Sequence, residues 1–335
     1  MTPPAAGAPA PAPAGRGTAP PGAPPRAGGC IAFVTHILTP AIQAAFERLV
    51  REAPPDHDVV LLLSDDAPPP PYIAGPLGGR VVAITREDLL RLGYPEKCRR
   101  DGWKIEGNAD LLFLEFRRRH PGYDRYWFIE YDVHWQGRWE VLFEHFRASP
   151  ADVLGGIVYP VADAPHKLRV LDYPRLVLPD GSGWTSEGAI KGFLPICRLS
   201  GAALDALDIA YRAGLGGHYE ITVFSVPASA GLAVEDFGGR GPYVRPENRD
   251  RFYFAHSATY SHSPGTFVFR PAPRVLPRPN TLWHPVKPAG VPVWHPMRVR
   301  GNPLKNALEA LKPLAWGWVI RLWFATRWRP LKTPG

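Results

Sequence analysis

Apolar residues in this chain fall into short continuous runs, separated by segments in which they recur at helical spacing. Cys30 to Thr35, Asp58 to Leu63 and Arg80 to Thr85 are runs of strand length. Between the first two, Ile42, Phe46, Leu49 and Val50 mark one face of a helix over 41–51, and the third run leads into the polar start of another helix. Strands buried on both faces and alternating with helices predict a mainly parallel sheet. Ile105, Ala109, Leu112, Phe113 and Phe116 predict a helix over 105–119, stopped by His120-Pro121-Gly122. The apolar run Tyr126-Trp127-Phe128-Ile129 then passes directly into Glu130-Tyr131-Asp132-Val133-His134.

Further strands are predicted near 153–158, 192–198 and 232–234, with a Pro- and Gly-rich excursion over 160–188. Ser200 is placed to cap a helix over 202–213, Gly214 and Gly216 end it, and His218-Tyr219-Glu220 opens the next apolar segment. From Phe254 the chain is irregular until a helical pattern over 304–329, broken at Pro313.

Composition divides the chain into three parts. Residues 1–29 hold 9 Pro, 9 Ala and 6 Gly, which cannot build a packed core, so a disordered arm is expected there. Residues 30–295 form one α/β domain and 296–335 a basic, Trp-rich helical tail. The arm has neither a secretory h-region nor an amphipathic transit pattern, so a cytoplasmic protein is expected. Cys30, Cys98 and Cys197 form no C-x-x-C pair, which disfavours a disulfide framework or a zinc knuckle. The net charge of +8 is concentrated in residues 298–335, where eight basic residues face one acid, 8 − 1 = +7. The body is therefore nearly neutral, and no nucleic-acid module accompanies the charge. Trp316, Trp318, Trp323 and Trp328 interleave with Arg321, Arg327 and Arg329. That combination suits an anionic membrane surface, or equally a helix that packs its tryptophans on the domain.

Ligands of open α/β sheets bind beyond the carboxyl ends of the strands, which draws attention to Thr35-His36, Ser64-Asp65-Asp66 and Glu130-Tyr131-Asp132. Residues two apart on a strand share a face, so Glu130, Asp132 and His134 are candidates to converge. Two carboxylates suit Mg²⁺ or Mn²⁺, and an imidazole shifts the preference toward Mn²⁺. The plain alternative is an exposed acidic strand end making surface hydrogen bonds. His256 and His262, six apart in a polar segment, read as a hydrogen-bonded loop.

Trp127-Phe128-Ile129-Glu130-Tyr131-Asp132 resembles the Asp-x-Asp motif of GT-A glycosyltransferases, which follows an apolar strand and holds the metal on the donor diphosphate. Arg198-Leu199-Ser200 resembles the segment leading into the acceptor-side helix. His218-Tyr219-Glu220 lies where that family carries the acid of its x-Glu-Asp motif, and Leu282-Trp283-His284-Pro285-Val286-Lys287 resembles the late segment with a metal-binding histidine. The resemblance spans roughly residues 30–287. It implies a GT-A fold with a mainly parallel, Rossmann-like central sheet and flanking helices. It also implies transfer of a sugar from a nucleotide-diphosphate donor to a glycan, lipid-linked or small-molecule acceptor hydroxyl, on the inner face of a membrane if the tail binds there.

The residues implied are Asp132, Glu130 and His284 for the metal, Lys287 for the diphosphate, and Glu220 as the general base of an inverting transfer. Thr35, His36, Ser64, Asp65, Asp66, Lys104, Asn108 and Glu130 are implied to line the donor site. The motif departs from the family at Glu130, which replaces an Asp, and at Ile221, which follows Glu220 where an acid is usual. The true Glu-Asp pair, Glu235-Asp236, makes Asp236 the rival base. A sugar-nucleotide nucleotidyltransferase shares such a fold, but its Gly-rich basic loop has no counterpart in Thr35-His36-Ile37-Leu38-Thr39-Pro40. A non-catalytic glycan- or lipid-binding protein is the third possibility.

Overall fold

The computed structural model describes residues 29–64, 77, 79–98, 105, 107–163, 188–255, 265–268, 278–287 and 322. Asp65, Asp66, Lys104, His256, His262 and nearly all of the N-terminal arm and C-terminal tail lie outside this set. Among the described residues, no helix is long and apolar enough to cross a membrane.

The apolar runs become strands β1 (Gly29–Thr35), β2 (His57–Ser64), β3 (Val81–Ile84) and β4 (Arg125–Glu130). They are joined by β6 (Val153–Pro160), β7 (Ile190–Ser200) and β8 (Val234–Asp236), while the two-residue strands β5 (His134–Trp135) and β9 (Leu282–Trp283) pair separately. The main sheet has the order β3-β2-β1-β4-β7-β6-β8. Every pairing in it is parallel except those of β7, which runs against both β4 and β6. The reversal has a geometric consequence: the N-terminal half of β7 extends beyond the carboxyl end of β4, because Ile196 is already level with Ile129.

Alternation along the strands sends successive side chains into two cores. Cys30, Ala32, Val60, Leu62 and Phe128 face one core, Ile31, Phe33, Val59, Leu61, Trp127 and Ile129 the other. Helix α1 (Pro40–Glu52) starts with Pro40 behind Thr39, whose side chain accepts from the Ile42 amide at 3.3 Å. It covers the second core with Ile42, Phe46 and Leu49. Helix α2 (Arg86–Leu90) opens with a capping box between Thr85 and Asp88. Helix α3 (Asp110–Arg119) begins five residues later than its apolar stripe predicts. Gly107, at φ +91°, interrupts the helical path and leaves Ile105 in the preceding turn.

Helix α4 (Trp139–Arg147) was not among the predicted elements, although Trp139, Leu142, Phe143 and Phe146 have helical spacing and are buried. Glu52 caps it by accepting from the Trp139 amide at 3.0 Å, a contact set by α1 rather than by local sequence. Helix α5 (Gly201–Arg212) is capped by Ser200 as expected, and α6 (Tyr219–Ser229) follows His218. The strand predicted at 232–234 falls instead at Val234–Asp236, so Glu235 and Asp236 belong to the strand rather than to a turn after it.

Gly192 on β7 and Gly155 on β6 give the Phe224 ring of α6 its seat on the sheet. A Cβ at Gly155 would lie 2.6 Å from Phe224 Cζ, and one at Gly192 would overlap the ring outright. Gly192→Ala is therefore expected to destabilise the fold by about 1–3 kcal/mol through overpacking. Urea melts of the two proteins measure this difference.

Candidate active site

Strand β1 leads to β2 on one side and, after the long excursion through α3, lies against β4 on the other. The order thus switches direction between β1 and β4, where α/β sheets open a crevice at the carboxyl ends. Thr35, Ser64 and Glu130 all lie at that edge. The Thr35 hydroxyl is turned back on its own loop, accepting from the Ile37 amide at 3.2 Å and donating to the Ile37 carbonyl at 2.5 Å. His36 is exposed and meets the Tyr131 ring edge-on at 5.4 Å.

Glu130 and Asp132 do come together, but a turn brings them there rather than strand alternation. Strand β4 ends at Glu130, the Val133 amide donates to the Glu130 carbonyl at 3.0 Å, and Tyr131 ties back to Val34 at 2.9 Å. His134 goes elsewhere, into the β5 pairing with Trp283. The third member of the group arrives from the far end of the sequence. His284 Nε2 lies 3.5 Å from both Glu130 Oε2 and Asp132 Oδ1, and one ligand atom from each of the three residues falls within 4.8 Å of the others. Strand β9 and the bond from the Val286 amide to the Asp132 carbonyl, 2.8 Å, hold this late segment in place.

His284 Nδ1 donates to the Val268 carbonyl at 2.7 Å, which turns Nε2 toward the carboxylates in the orientation that second-shell bonds give metal-ligating histidines. Burial disfavours its charged form, but Asp132 and Glu130 more than offset this and raise its pKa. Lys287 Nζ pairs with Asp132 Oδ2 at 2.5 Å and donates to the Tyr131 hydroxyl at 3.0 Å. Asp132 Oδ1 is buried, and among the described residues it accepts no hydrogen bond. Two hard carboxylate oxygens, of which Asp132 Oδ1 is buried without a hydrogen bond, and an oriented imidazole nitrogen together fit a divalent cation.

A second polar group gathers at the same edge, around the start of α6. Glu220 is buried, and its Oε2 lies 4.0 Å from His218 Nδ1, which accepts from the Glu220 amide. Lys191 is also buried. Its desolvation depresses its pKa, and the charge of Glu220 opposes that shift. Two residues further along β7, Phe193 meets His284 edge-on at 5.2 Å. Asn108 lies buried in the turn before α3, and the adjacent Gly107 carbonyl accepts from the Tyr219 amide at 3.0 Å. The rival acid Asp236 is fully buried and accepts from the Val158 and Gly238 amides and from the Tyr253 hydroxyl, all within 3.0 Å. Burial pushes its pKa up to about 6, and its oxygens serve the loop after β8.

Lys191 and Lys97 are not among the residues singled out from the sequence. Lys191 did leave a signal, a cation inside a buried apolar strand. Lys97, in the turn Pro95-Glu96-Lys97-Cys98, leaves none.

No family model and no curated protein matches the sequence. Solved structures similar to it include mouse xyloside xylosyltransferase 1, at 14% identity and TM-score 0.33, covering 62% of this chain and 83% of that one. They also include the galactosyltransferase LgtC in complex with donor and acceptor sugar analogues, at 12% identity and TM-score 0.36, covering 62% and 74%. A third is the mannosyltransferase PcManGT from Pyrobaculum calidifontis in complex with GDP-Man and Mn²⁺, at 14% identity and TM-score 0.32, covering 68% and 58%.

Burial, with Lys97 and Lys191 nearby, lowers the His218 pKa to about 4. The unfolded chain takes up this proton near pH 6.5 and the folded chain does not, so stability present above pH 6.5 is lost as pH falls toward 4. His218→Asn keeps a capping acceptor and removes the titration. It is expected to flatten the decline between pH 6.5 and 4 by up to about 3 kcal/mol, read from urea melts across that range.

Proposed function

We propose that this chain is a metal-dependent glycosyltransferase of the GT-A type. It would move a sugar from a nucleotide-diphosphate donor to an acceptor hydroxyl on a glycan, a lipid-linked sugar or a small molecule. The observation that carries the reading is the Glu130, Asp132 and His284 cluster at the β1–β4 switch point, with one buried Asp132 oxygen unsatisfied and Lys287 beside it. A divalent cation, Mn²⁺ or Mg²⁺, would act there as a Lewis acid for the departing diphosphate.

The remaining chemistry is assigned to the chain's own side chains. Asp132 and His284 hold the ion, and the half-exposed Glu130 contributes its carboxylate from the solvent side. Lys287 supplies a fixed positive charge for phosphate oxygens. Thr35, His36, Ser64 and Asn108 line the donor crevice; Asp65, Asp66 and Lys104, which the sequence resemblance implies for the same role, lie outside the described residues. Glu220 takes the proton from the acceptor hydroxyl as that oxygen attacks the anomeric carbon, which makes the transfer inverting. Its support is its burial at the same sheet edge, near the cationic side chain of Lys191. The composition of residues 296–335 adds contact with an anionic membrane surface to this proposal.

Thermal melts with Mn²⁺ and UDP-glucose, UDP-galactose or GDP-mannose test the reading. At a hundredfold excess over Kd, one of these donors is expected to raise the melting temperature by about 5–10 °C. Asp132→Asn is expected to abolish that shift, and an unchanged shift in the variant would remove the site from contention.

A further inference from the structure

Behind the start of α6 lies a buried ion pair with no part in the chemistry above. Lys97 Nζ stands 2.8 Å from Asp110 Oδ2, and both side chains are almost wholly enclosed. Lys97 also donates to the Gly217 carbonyl at 2.9 Å, one residue before the α6 cap His218. Tyr211, at the end of α5, donates to Asp110 Oδ2, and its hydroxyl lies 2.6 Å from Thr222 Oγ1 in the first turn of α6. The Lys97 ammonium sits 4.8 Å over the Tyr211 ring.

A pair buried this deeply is a poor source of stability, because desolvation consumes most of the Coulombic gain and an apolar replacement would serve the core as well. What the network does uniquely is fix a position. It joins the turn at Lys97, the start of α3, the end of α5 and both sides of His218-Tyr219-Glu220. We propose that Lys97, through Asp110 and Tyr211, is a positioning residue for Glu220, holding the Gly217–Thr222 turn against the sheet edge. The proposal rests on the assignment of Glu220 as the base.

Hydrogen exchange of the full chain, read by mass spectrometry, tests the positioning without any substrate. Lys97→Met is expected to speed exchange at least tenfold in peptides covering 215–222 and to leave those covering 125–133 unchanged. Tyr211→Phe, which deletes only the hydroxyl, is expected to do the same more mildly and serves if the first variant fails to fold. Unchanged exchange at 215–222, or a loss of protection spread through the whole domain, would overturn the proposal. Release of nucleoside diphosphate from UDP-glucose, UDP-galactose and GDP-mannose with Mn²⁺ then separates the two assignments. Glu220→Gln with undiminished release refutes the base while the exchange result judges the positioning. A tenfold or greater fall in both Glu220→Gln and Lys97→Met, with no further fall in the double variant, supports both.

Discussion

A carboxylate taken out of water must be paired, and Asp132 is the carboxylate around which this site closes. One oxygen is held by Lys287 and the other faces His284, so residues of the 130s and the 280s share a single ion network. Backbone bonds follow the same seam, with β5 against β9, Val286 on Asp132 and His284 on Thr266. Without the Asp132 charge, the late segment would lose the group that both His284 and Lys287 face. The far end of the domain is thus fastened to the switch point of the sheet by the same side chains that make up the candidate site.

The sequence exposed the features that depend on local pattern. Buried strands such as Val59–Leu63 and capped helices such as those after Thr39 and Ser200 carry their own signals in apolar spacing and turn chemistry. The position of Glu130-Tyr131-Asp132 was legible for a similar reason, since polar residues ending an apolar run in an α/β pattern lie at the edge where ligands bind. Helix α4 had the spacing of an amphipathic helix too, but its start is capped by Glu52, 87 residues earlier.

What the pattern could not show was set by tertiary contact. Strand β7 is buried throughout and mostly apolar like its neighbours, and nothing in such a run states its direction; only pairing with β4 and β6 does. The convergence of Glu130 with Asp132 was expected from strand alternation, whereas the strand ends at Glu130 and a turn does the work. His134, which alternation would have added to the group, is drawn away by pairing with Trp283. Lys97 is opaque in sequence because its role comes from Asp110, Gly217 and Tyr211, none of them its neighbour along the chain.

Glu130, where the resembling motif has an Asp, fits the division of labour proposed for the cluster. Asp132 is short, buried and already neutralised on one oxygen by Lys287, so by itself it offers little net negative charge to a cation. Glu130 is half-exposed and longer by one methylene, and it reaches the same imidazole nitrogen from the solvent side. With His284 neutral, two carboxylates and one ammonium sum to a net charge of −1, below the −2 of an unaccompanied carboxylate pair. Under the proposed function, such a site would attract a divalent ion moderately and would be left with net positive charge once the ion was bound. A diphosphate would then complete the charge balance, which favours ion and donor binding together over either alone.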